Sequence, residues 1–304
     1  MFTTDEAFAA GWTRSALQNA VRRGRVVAVQ RGMWAAPGDP TDPGHRDQAL
    51  LQASAAAARE AQGTVVSHLG AATGFALPTW ARYPRPCVTV VGRTRIALTG
   101  VHVHRTGRGF TGRLVDGVVL TNPVRTLVDV AREFGVESGL VSADAAVRRG
   151  LVTQGQLSRA TRGLRGTGAA DAKLMAQLVD GRAESPLESR SRWQFRVHEI
   201  TPPQPQAWIY NRAGTFLGRV DFFWSEGVVG EVDGSQKYRD DDDARVKEKW
   251  RQELLERTGL LVVRWGARDL FDFRETAARI RDRRARVQRP GWPHDWIVTS
   301  GPKV

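Results

Sequence analysis

The sequence predicts a multidomain α/β protein, and three observations support this fold class. The chain has 304 residues, whereas one domain takes about 100–200 residues. Helical and strand-like patterns are interspersed along it. A proline-rich stretch at 37–43 separates regions of different pattern. We expect two helices and a hairpin at 1–37, a mixed α+β domain of unknown role at 38–180, an α/β core at 181–290 and a tail at 291–304.

The first part has the outline of a minimal winged helix-turn-helix. Thr3 and Glu6 form a capping-box pattern before a first short helix, and Thr13 is placed to cap a second. Two β-prone runs then flank a glycine-containing turn at 30–32. The second helix carries polar and basic residues on and beside its outward face, namely Arg14, Ser15, Gln18, Asn19 and Arg22.

This basic helix predicts DNA binding. Arginine and glutamine side chains make bidentate contacts with guanine and adenine in the major groove. Arg31 in the hairpin turn could reach a phosphate or the adjacent minor groove. The net charge of +13 and the isoelectric point near 11.0 favour a phosphate-rich partner. The alternative is a protein-interaction domain with an exposed basic face.

The middle part carries no catalytic pattern, and we expect a structural or interaction domain. A helix from about 45 to 62 ends at Gly63. Ser67 is expected to cap a short helix rather than to form a catalytic pair with His68. Further expected elements are strands at 87–91, 101–105 and 118–120 and helices at 126–134 and 139–149.

Cysteine and histidine usage predicts no zinc site. Cys87 is the single cysteine, which argues against an internal disulfide and a cysteine-based structural zinc site. His102 and His104 share one face of a predicted strand, and we expect structural histidines because no further ligand is near them. The sequence shows no basic region followed by an apolar run at its start and no long apolar run, so the expected location is the cytoplasm.

The last part brings carboxylates together. Ser185 and Pro186 begin a helix that carries Glu188. The predicted elements that follow are strands at 207–210, 217–224 and 228–233, a charged helix at 243–257, a buried strand at 260–263 and an arginine-rich solvated helix after 279.

Three of the acidic side chains fall on two neighbouring predicted strands. Asp221 lies on one strand, and Glu231 and Asp233 lie two residues apart on the next, so these last two point the same way. Clustered carboxylates repel one another, and Mg²⁺ relieves that repulsion. Such an ion can activate water and stabilise charge on a phosphodiester, with Lys237 adding positive charge nearby.

The same residues carry a resemblance to a known nuclease family. The segments concerned are EVDGSQKY (231–238), GRVDF (218–222), SPLESR (185–190), Glu248-Lys249 with Arg251, and GLLVVRW (259–265). Together they resemble the Vsr-like branch of the PD-(D/E)XK nuclease superfamily. The first part, with RGMW (31–34) in its hairpin, resembles the N-terminal domain of AbiEi-type antitoxins of type IV toxin–antitoxin systems.

The nuclease resemblance implies a restriction-endonuclease-like α/β core and a Mg²⁺- or Mn²⁺-dependent DNA endonuclease. Asp221 and Glu231 would be the main metal ligands, with Glu188 supporting them. Asp233 occupies the third position of the Glu-x-Lys element. The missing lysine must then be replaced by Lys237, or by one from the next helix, Lys247 or Lys249.

The two resemblances together imply a role in defence or in toxin–antitoxin control, with DNA and a cognate toxin as partners. The alternative is an antitoxin-like transcriptional repressor whose nuclease fold is catalytically inactive.

Overall fold

The computed structural model divides the chain into two compact units, Met1–Val179 and Asp180–Val304. It describes residues 2–23, 25–30, 33–35, 43–60, 63–81, 85–92, 100–106, 112–233 and 242–302. Arg31, Lys237 and most of the predicted linker at 37–43 lie outside these ranges. Helices and mixed sheets occur in both units. The expectation of a multidomain α/β protein is confirmed at that level.

The first unit begins with two short helices and a small antiparallel sheet. Its elements are β1 (Phe2–Thr3), α1 (Thr4–Ala9), α2 (Arg14–Arg22), β2 (Val27–Gln30) and β3 (Met33–Ala35), with the strands in the order β1-β3-β2. The Thr13 side chain accepts a hydrogen bond from the Ala16 amide, which confirms the predicted helix cap. Leu17 and Ala20 are buried on the inner face of α2. Its other face is therefore left to solvent.

The remainder of the first unit is a five-stranded mixed sheet with helices. Its elements are α3 (Pro43–Glu60), β4 (Thr64–Val66), α4 (His68–Gly74), β5 (Cys87–Val91), β6 (His102–Thr106), β7 (Gly112–Val115), β8 (Val118–Thr121), α5 (Pro123–Arg148), α6 (Gln154–Thr161) and α7 (Ala169–Leu178). The strand order is β6-β5-β4-β8-β7, and β5 runs parallel to β6. A kink at Gly135, with φ 86°, interrupts α5 between the two helices that the sequence predicts.

The second unit is also built on a five-stranded mixed sheet. Its elements are α8 (Pro186–Val197), β9 (Gln204–Tyr210), β10 (Phe216–Trp224), β11 (Val228–Asp233), α9 (Asp242–Arg257), β12 (Leu261–Gly266), a 3₁₀ helix (Asp269–Phe271), α10 (Arg274–Val287) and β13 (Ile297–Thr299). The strand order is β12-β11-β10-β9-β13, in which β11 and β12 are parallel. The predicted order of helix, antiparallel strands, helix and strand is confirmed, but the last strand, β12, lies at the edge of the sheet and only Val263 and Trp265 in it are fully buried.

Two expectations about the end of the chain are wrong. The predicted loose tail contains β13, which pairs with β9 and extends the sheet. The helix expected to be solvated begins at Arg274 and buries Ala277 and Ile280 in the aromatic core around Phe195. Six arginines in this helix mask its buried apolar positions, Ala277, Ile280 and Val287, which are spaced by three and by seven residues.

Across the described residues, no helix combines the length and the apolar character that crossing a membrane requires.

Candidate functional site

The start of α8 places a buried carboxylate in the second unit. The Ser185 hydroxyl accepts a hydrogen bond from the Glu188 amide at 3.2 Å, and Pro186 occupies the first turn. Glu188 is only 5% exposed. Its Oε2 accepts hydrogen bonds from the Glu184 amide at 3.0 Å and from Gln206 Nε2 at 2.7 Å. The predicted helix cap therefore positions Glu188 in the protein interior.

Gln206 is itself held in an unusual conformation. Its φ is +52°, in the left-handed region that side chains other than glycine rarely adopt. Its Oε1 is buried and has no hydrogen-bond partner among the described residues. Strain of this kind persists where the surrounding structure fixes it, and it concentrates at functional sites.

Asp221 and Glu231 lie beside each other on β10 and β11. Phe222 pairs with Gly230 in the antiparallel ladder; Asp221 precedes Phe222 and Glu231 follows Gly230, so the two carboxyl residues occupy the next opposing positions. Residues that oppose each other across such a ladder project to the same side of the sheet. The Asp221 Oδ2 accepts a hydrogen bond from the Val232 amide at 2.9 Å. The adjacency expected from the sequence is therefore present.

Burial and like charge raise the pKa values of both carboxyls. Burial raises the pKa of Asp221 to about 6; the Val232 hydrogen bond opposes the rise, and the charge of Glu188 adds to it. Burial also raises the pKa of Glu231 to about 7, against the opposing charge of Arg251 and with a further contribution from Asp221. Asp221 is therefore electrostatically coupled to both Glu188 and Glu231.

Arginines partly offset this negative charge. Arg251 on α9 donates from Nη2 to Glu231 Oε1 at 3.0 Å and from Nη1 to the Arg219 carbonyl at 3.3 Å. Arg219 makes a two-pronged ion pair with Glu184, with both contacts at 2.8 Å. An open cleft of about 650 Å³ includes Arg219, Gln206 and Trp208 in its lining. The three carboxylates do not line this cleft themselves, and Gln206 connects it to Glu188 through its hydrogen bond.

The carboxylates do not form a closed ligand set as the side chains stand. Within the described part of the chain, a few groups of three or more histidine, cysteine or acidic side chains have ligand atoms within 4.8 Å of one another. Glu188, Asp221 and Glu231 do not form such a group. The Asp233 side chain is half exposed, and its Oδ1 lies 3.7 Å from Arg264 Nη1. A metal would have to draw these carboxylates together.

Two groups of side chains in the first unit do have ligand atoms within 4.8 Å of one another. They are His68, Cys87 and His104, and His102, His104 and Glu133. The expectation that His102 and His104 have no further ligands near them is wrong. The parallel pairing of β5 with β6 places Cys87 opposite His102, and no local pattern in the sequence indicates this pairing.

The prediction that Ser67 caps a short helix is confirmed for its position but not for its side chain. Ser67 stands at the N-cap position of α4, but its side chain makes no capping hydrogen bond. Its hydroxyl instead lies 2.8 Å from His68 Nδ1.

The predicted DNA-binding residues on α2 are exposed. Arg14, Ser15, Gln18, Asn19 and Arg22 all lie on its outer surface. Arg22 Nη2 donates a hydrogen bond to Asn19 Oδ1 at 2.8 Å, which links the two side chains across one turn. A basic, polar face is therefore accessible to a partner.

Comparison with known proteins gives relatives but no activity. No family model matches this chain. Two relatives, uncharacterized proteins MT2308 and Rv2248 from two strains of Mycobacterium tuberculosis, are each 27% identical over 262 residues, which cover 83% of this chain and 89% of the relative. The crystal structure of RV2827C protein from Mycobacterium tuberculosis gives a TM-score of 0.34 at 20% identity, over 62% of this chain and 74% of that chain.

Proposed function

We propose that this chain is a DNA-binding protein whose second unit is a Mg²⁺-dependent, Vsr-like endonuclease domain. The observation that carries the proposal is the coupling of Glu188, Asp221 and Glu231, which project from α8, β10 and β11. Burial chiefly, with the repulsion between the carboxylates adding to it, raises the pKa values of Asp221 and Glu231, so their ionised forms are unfavourable without a compensating cation. Buried carboxyls with perturbed pKa values mark a candidate functional site.

The residues fit a hard divalent ion by their chemistry. Carboxylate oxygens are the ligands that Mg²⁺ prefers, and one or two of them suffice alongside water and phosphate. Asp221 and Glu231 would hold the ion, with Glu188 behind them. Mg²⁺ in such a site supplies a more acidic bound water and stabilises charge on the phosphodiester. Lys237, four positions after Asp233, would add positive charge for the developing transition state.

The first unit supplies the proposed DNA contact. Arg14, Gln18 and Arg22 line an exposed helix face, and their chemistry suits base edges and phosphates. We assign this segment to a winged helix-turn-helix that docks α2 in the major groove. Recruitment of the second unit to DNA follows from this docking because both units belong to one chain. A role in defence or in toxin–antitoxin control belongs to the same proposal.

A melting experiment tests the metal site. At pH 8, Mg²⁺ should raise the melting temperature of the wild type by mass action, and Asp221→Asn should abolish the gain. Asp282→Asn, at an exposed position on α10 in the same unit, is the matched control and should keep the gain. A wild type whose melting temperature is indifferent to Mg²⁺ and Mn²⁺ would remove the metal site from the proposal.

A second candidate is a transcriptional repressor whose nuclease fold is inactive and contacts a partner such as a toxin. The ion pair between Arg251 and Glu231 at 3.0 Å favours it, because an arginine already neutralises one proposed ligand. This candidate predicts tight, metal-independent binding to an operator and no cleavage. It also predicts that Arg251→Gln destabilises the protein whether or not Mg²⁺ is present.

A further inference from the structure

A second cluster of ligand-type side chains lies in the first unit, and the proposed nuclease activity does not use it. His68 begins α4, Cys87 begins β5 and His104 lies within β6. Each of the three residues offers one potential ligand atom, and these three atoms lie within 4.8 Å of one another. In a tetrahedral zinc site with bonds of about 2.0–2.3 Å, neighbouring ligand atoms are roughly 3.3–3.8 Å apart. Small side-chain rotations would therefore close this set around an ion.

The sheet places these side chains together. In the parallel register of β5 and β6, Cys87 pairs with His102 and Thr89 pairs with His104. Because paired residues and residues two apart project to one side of a sheet, all four share a side. The His68 ring stacks on that of His104, with 3.8 Å between ring centroids. Three separate elements thus converge on one point.

The backbone at His68 is strained, and a neighbouring hydroxyl orients its ring. Its φ is +54°, a left-handed conformation that costs a non-glycine residue about 1–2 kcal/mol. The Ser67 amide donates to the Cys87 carbonyl at 3.2 Å, which ties the start of α4 to β5. The Ser67 hydroxyl lies 2.8 Å from His68 Nδ1. That contact leaves Nε2 as the ligand atom, in the way that outer hydrogen bonds orient metal-binding histidines.

Buried polar atoms in the cluster lack hydrogen bonds. His104 Nε2 and Thr89 Oγ1 are buried and have no hydrogen-bond partner among the described residues. A buried group left in this state costs about 1–3 kcal/mol. His68 is 3% exposed and Cys87 is fully buried. Coordination of an ion would satisfy His104 and would give these buried groups a common role.

The protonation states and the ligand types suit a borderline-soft metal. Burial lowers the pKa of His68 well below its usual range, and it lowers the pKa of His104 to about 4, so both rings are neutral near pH 7. Burial raises the pKa of the Cys87 thiol to about 12, so an ion must displace its proton. Imidazole and thiolate ligands select Zn²⁺ over Mg²⁺ and Ca²⁺.

We infer that His68, Cys87 and His104 are the protein ligands of a Zn²⁺ site that joins α4 to β5 and β6. His102 and Glu133 stand at its outer side. The His102 ring lies 4.2 Å from that of His104, measured between centroids. Glu133 Oε1 lies 2.9 Å from His102 Nδ1, at ion-pair distance but without hydrogen-bond geometry. Three ligands leave one of the four tetrahedral positions for water or another donor.

Cobalt titration of the full-length, metal-stripped protein tests this site. One equivalent of Co²⁺ should give visible bands of a tetrahedral ion and a near-ultraviolet thiolate-to-cobalt band, and Zn²⁺ but not Mg²⁺ should displace it. Cys87→Ser should lose the thiolate band. His104→Gln should weaken Co²⁺ binding at least about tenfold, since even outer-shell changes cost that much. Far-ultraviolet circular dichroism checks the fold of each variant.

Two control variants distinguish this site from adventitious cobalt binding and from the carboxylate site. His294→Gln, which changes an exposed histidine of the second unit, should leave both bands intact. Asp221→Asn should also leave them intact, so failure of the carboxylate site would not affect this result. The zinc site would be refuted by a folded wild type without a thiolate band or by retention of that band in Cys87→Ser. If Cys87→Ser does not fold, unchanged Co²⁺ affinity in His104→Gln refutes it instead.

Discussion

Neutralising Asp221 should stabilise the metal-free protein at alkaline pH. The pKa of this carboxyl rises from 3.8 to about 6 in the folded state. A raised carboxyl pKa means that folding favours the protonated form of Asp221. The stability that this protonated form contributes is fully present below about pH 4 and is lost as pH rises through about 6. A shift of roughly two units corresponds to on the order of 3 kcal/mol of stability lost by pH 8.

Asparagine removes the charge and keeps the contact. Its side-chain oxygen can still accept the hydrogen bond from the Val232 amide, which Asp221 accepts at 2.9 Å. Its neutrality also removes one of the charges that raise the pKa of Glu231. Asp221→Asn should therefore lose part of the pH dependence and be more stable than the wild type at pH 8.

Urea unfolding in EDTA at pH 5 and pH 8 measures this effect. Tryptophan fluorescence reports mainly on the second unit, which holds seven of the ten tryptophans, with Trp224 and Trp265 in its core. Asp282→Asn serves as the control and should follow the wild type at both pH values. An Asp221→Asn variant that is less stable than the wild type at pH 8 would refute the reasoning, because it would assign this carboxylate a stabilising structural role.

Two further predictions concern the first unit. Replacing Arg14 and Arg22 by alanine should weaken binding to DNA duplexes of any sequence. It should also lower the slope of the logarithm of the binding constant against the logarithm of salt concentration by about one per lost phosphate contact. Arg159→Ala, on an exposed face of α6, is the control, and an unchanged slope in the double variant would favour a protein-interaction role. Gly168→Ala should cost more than about 2 kcal/mol, because its Cβ would lie 2.1 Å from a carbonyl oxygen of α5 at φ +68°. Gly163 has a similar φ of +79°, but a Cβ there would lie in open space, so Gly163→Ala should cost only about 1–2 kcal/mol of unfolding free energy. Equal losses of stability in the two variants would contradict the steric argument.

Local signals in the sequence predicted the helix starts and the central carboxylate pair. The caps at Thr13 and Ser185 depend on residues three positions apart, and the meeting of Asp221 with Glu231 depends on neighbouring antiparallel strands. Each of these arises from short-range geometry. The sequence therefore sufficed where the contacts are close along the chain.

Two contacts between distant segments were not predicted. Arg251 reaches Glu231 from α9, and its role depends on how that helix lies on the sheet. Cys87 meets His104 because β5 and β6 pair in parallel, and His68 joins them from the start of a helix. Neither hydrophobic period nor capping chemistry encodes such pairings, since many strand orders satisfy the same local pattern.

Nicking of supercoiled plasmid DNA tests the central claim most directly. The claim is that Asp221, Glu231 and Glu188 hold Mg²⁺ for phosphodiester cleavage. Purified wild-type protein should convert supercoiled plasmid to the nicked or linear form only when Mg²⁺ or Mn²⁺ is present. Asp221→Asn should abolish conversion while it retains DNA binding, and Asp282→Asn should cleave like the wild type. Wild-type protein that binds DNA but leaves matched and mismatched substrates intact with either metal would contradict the account.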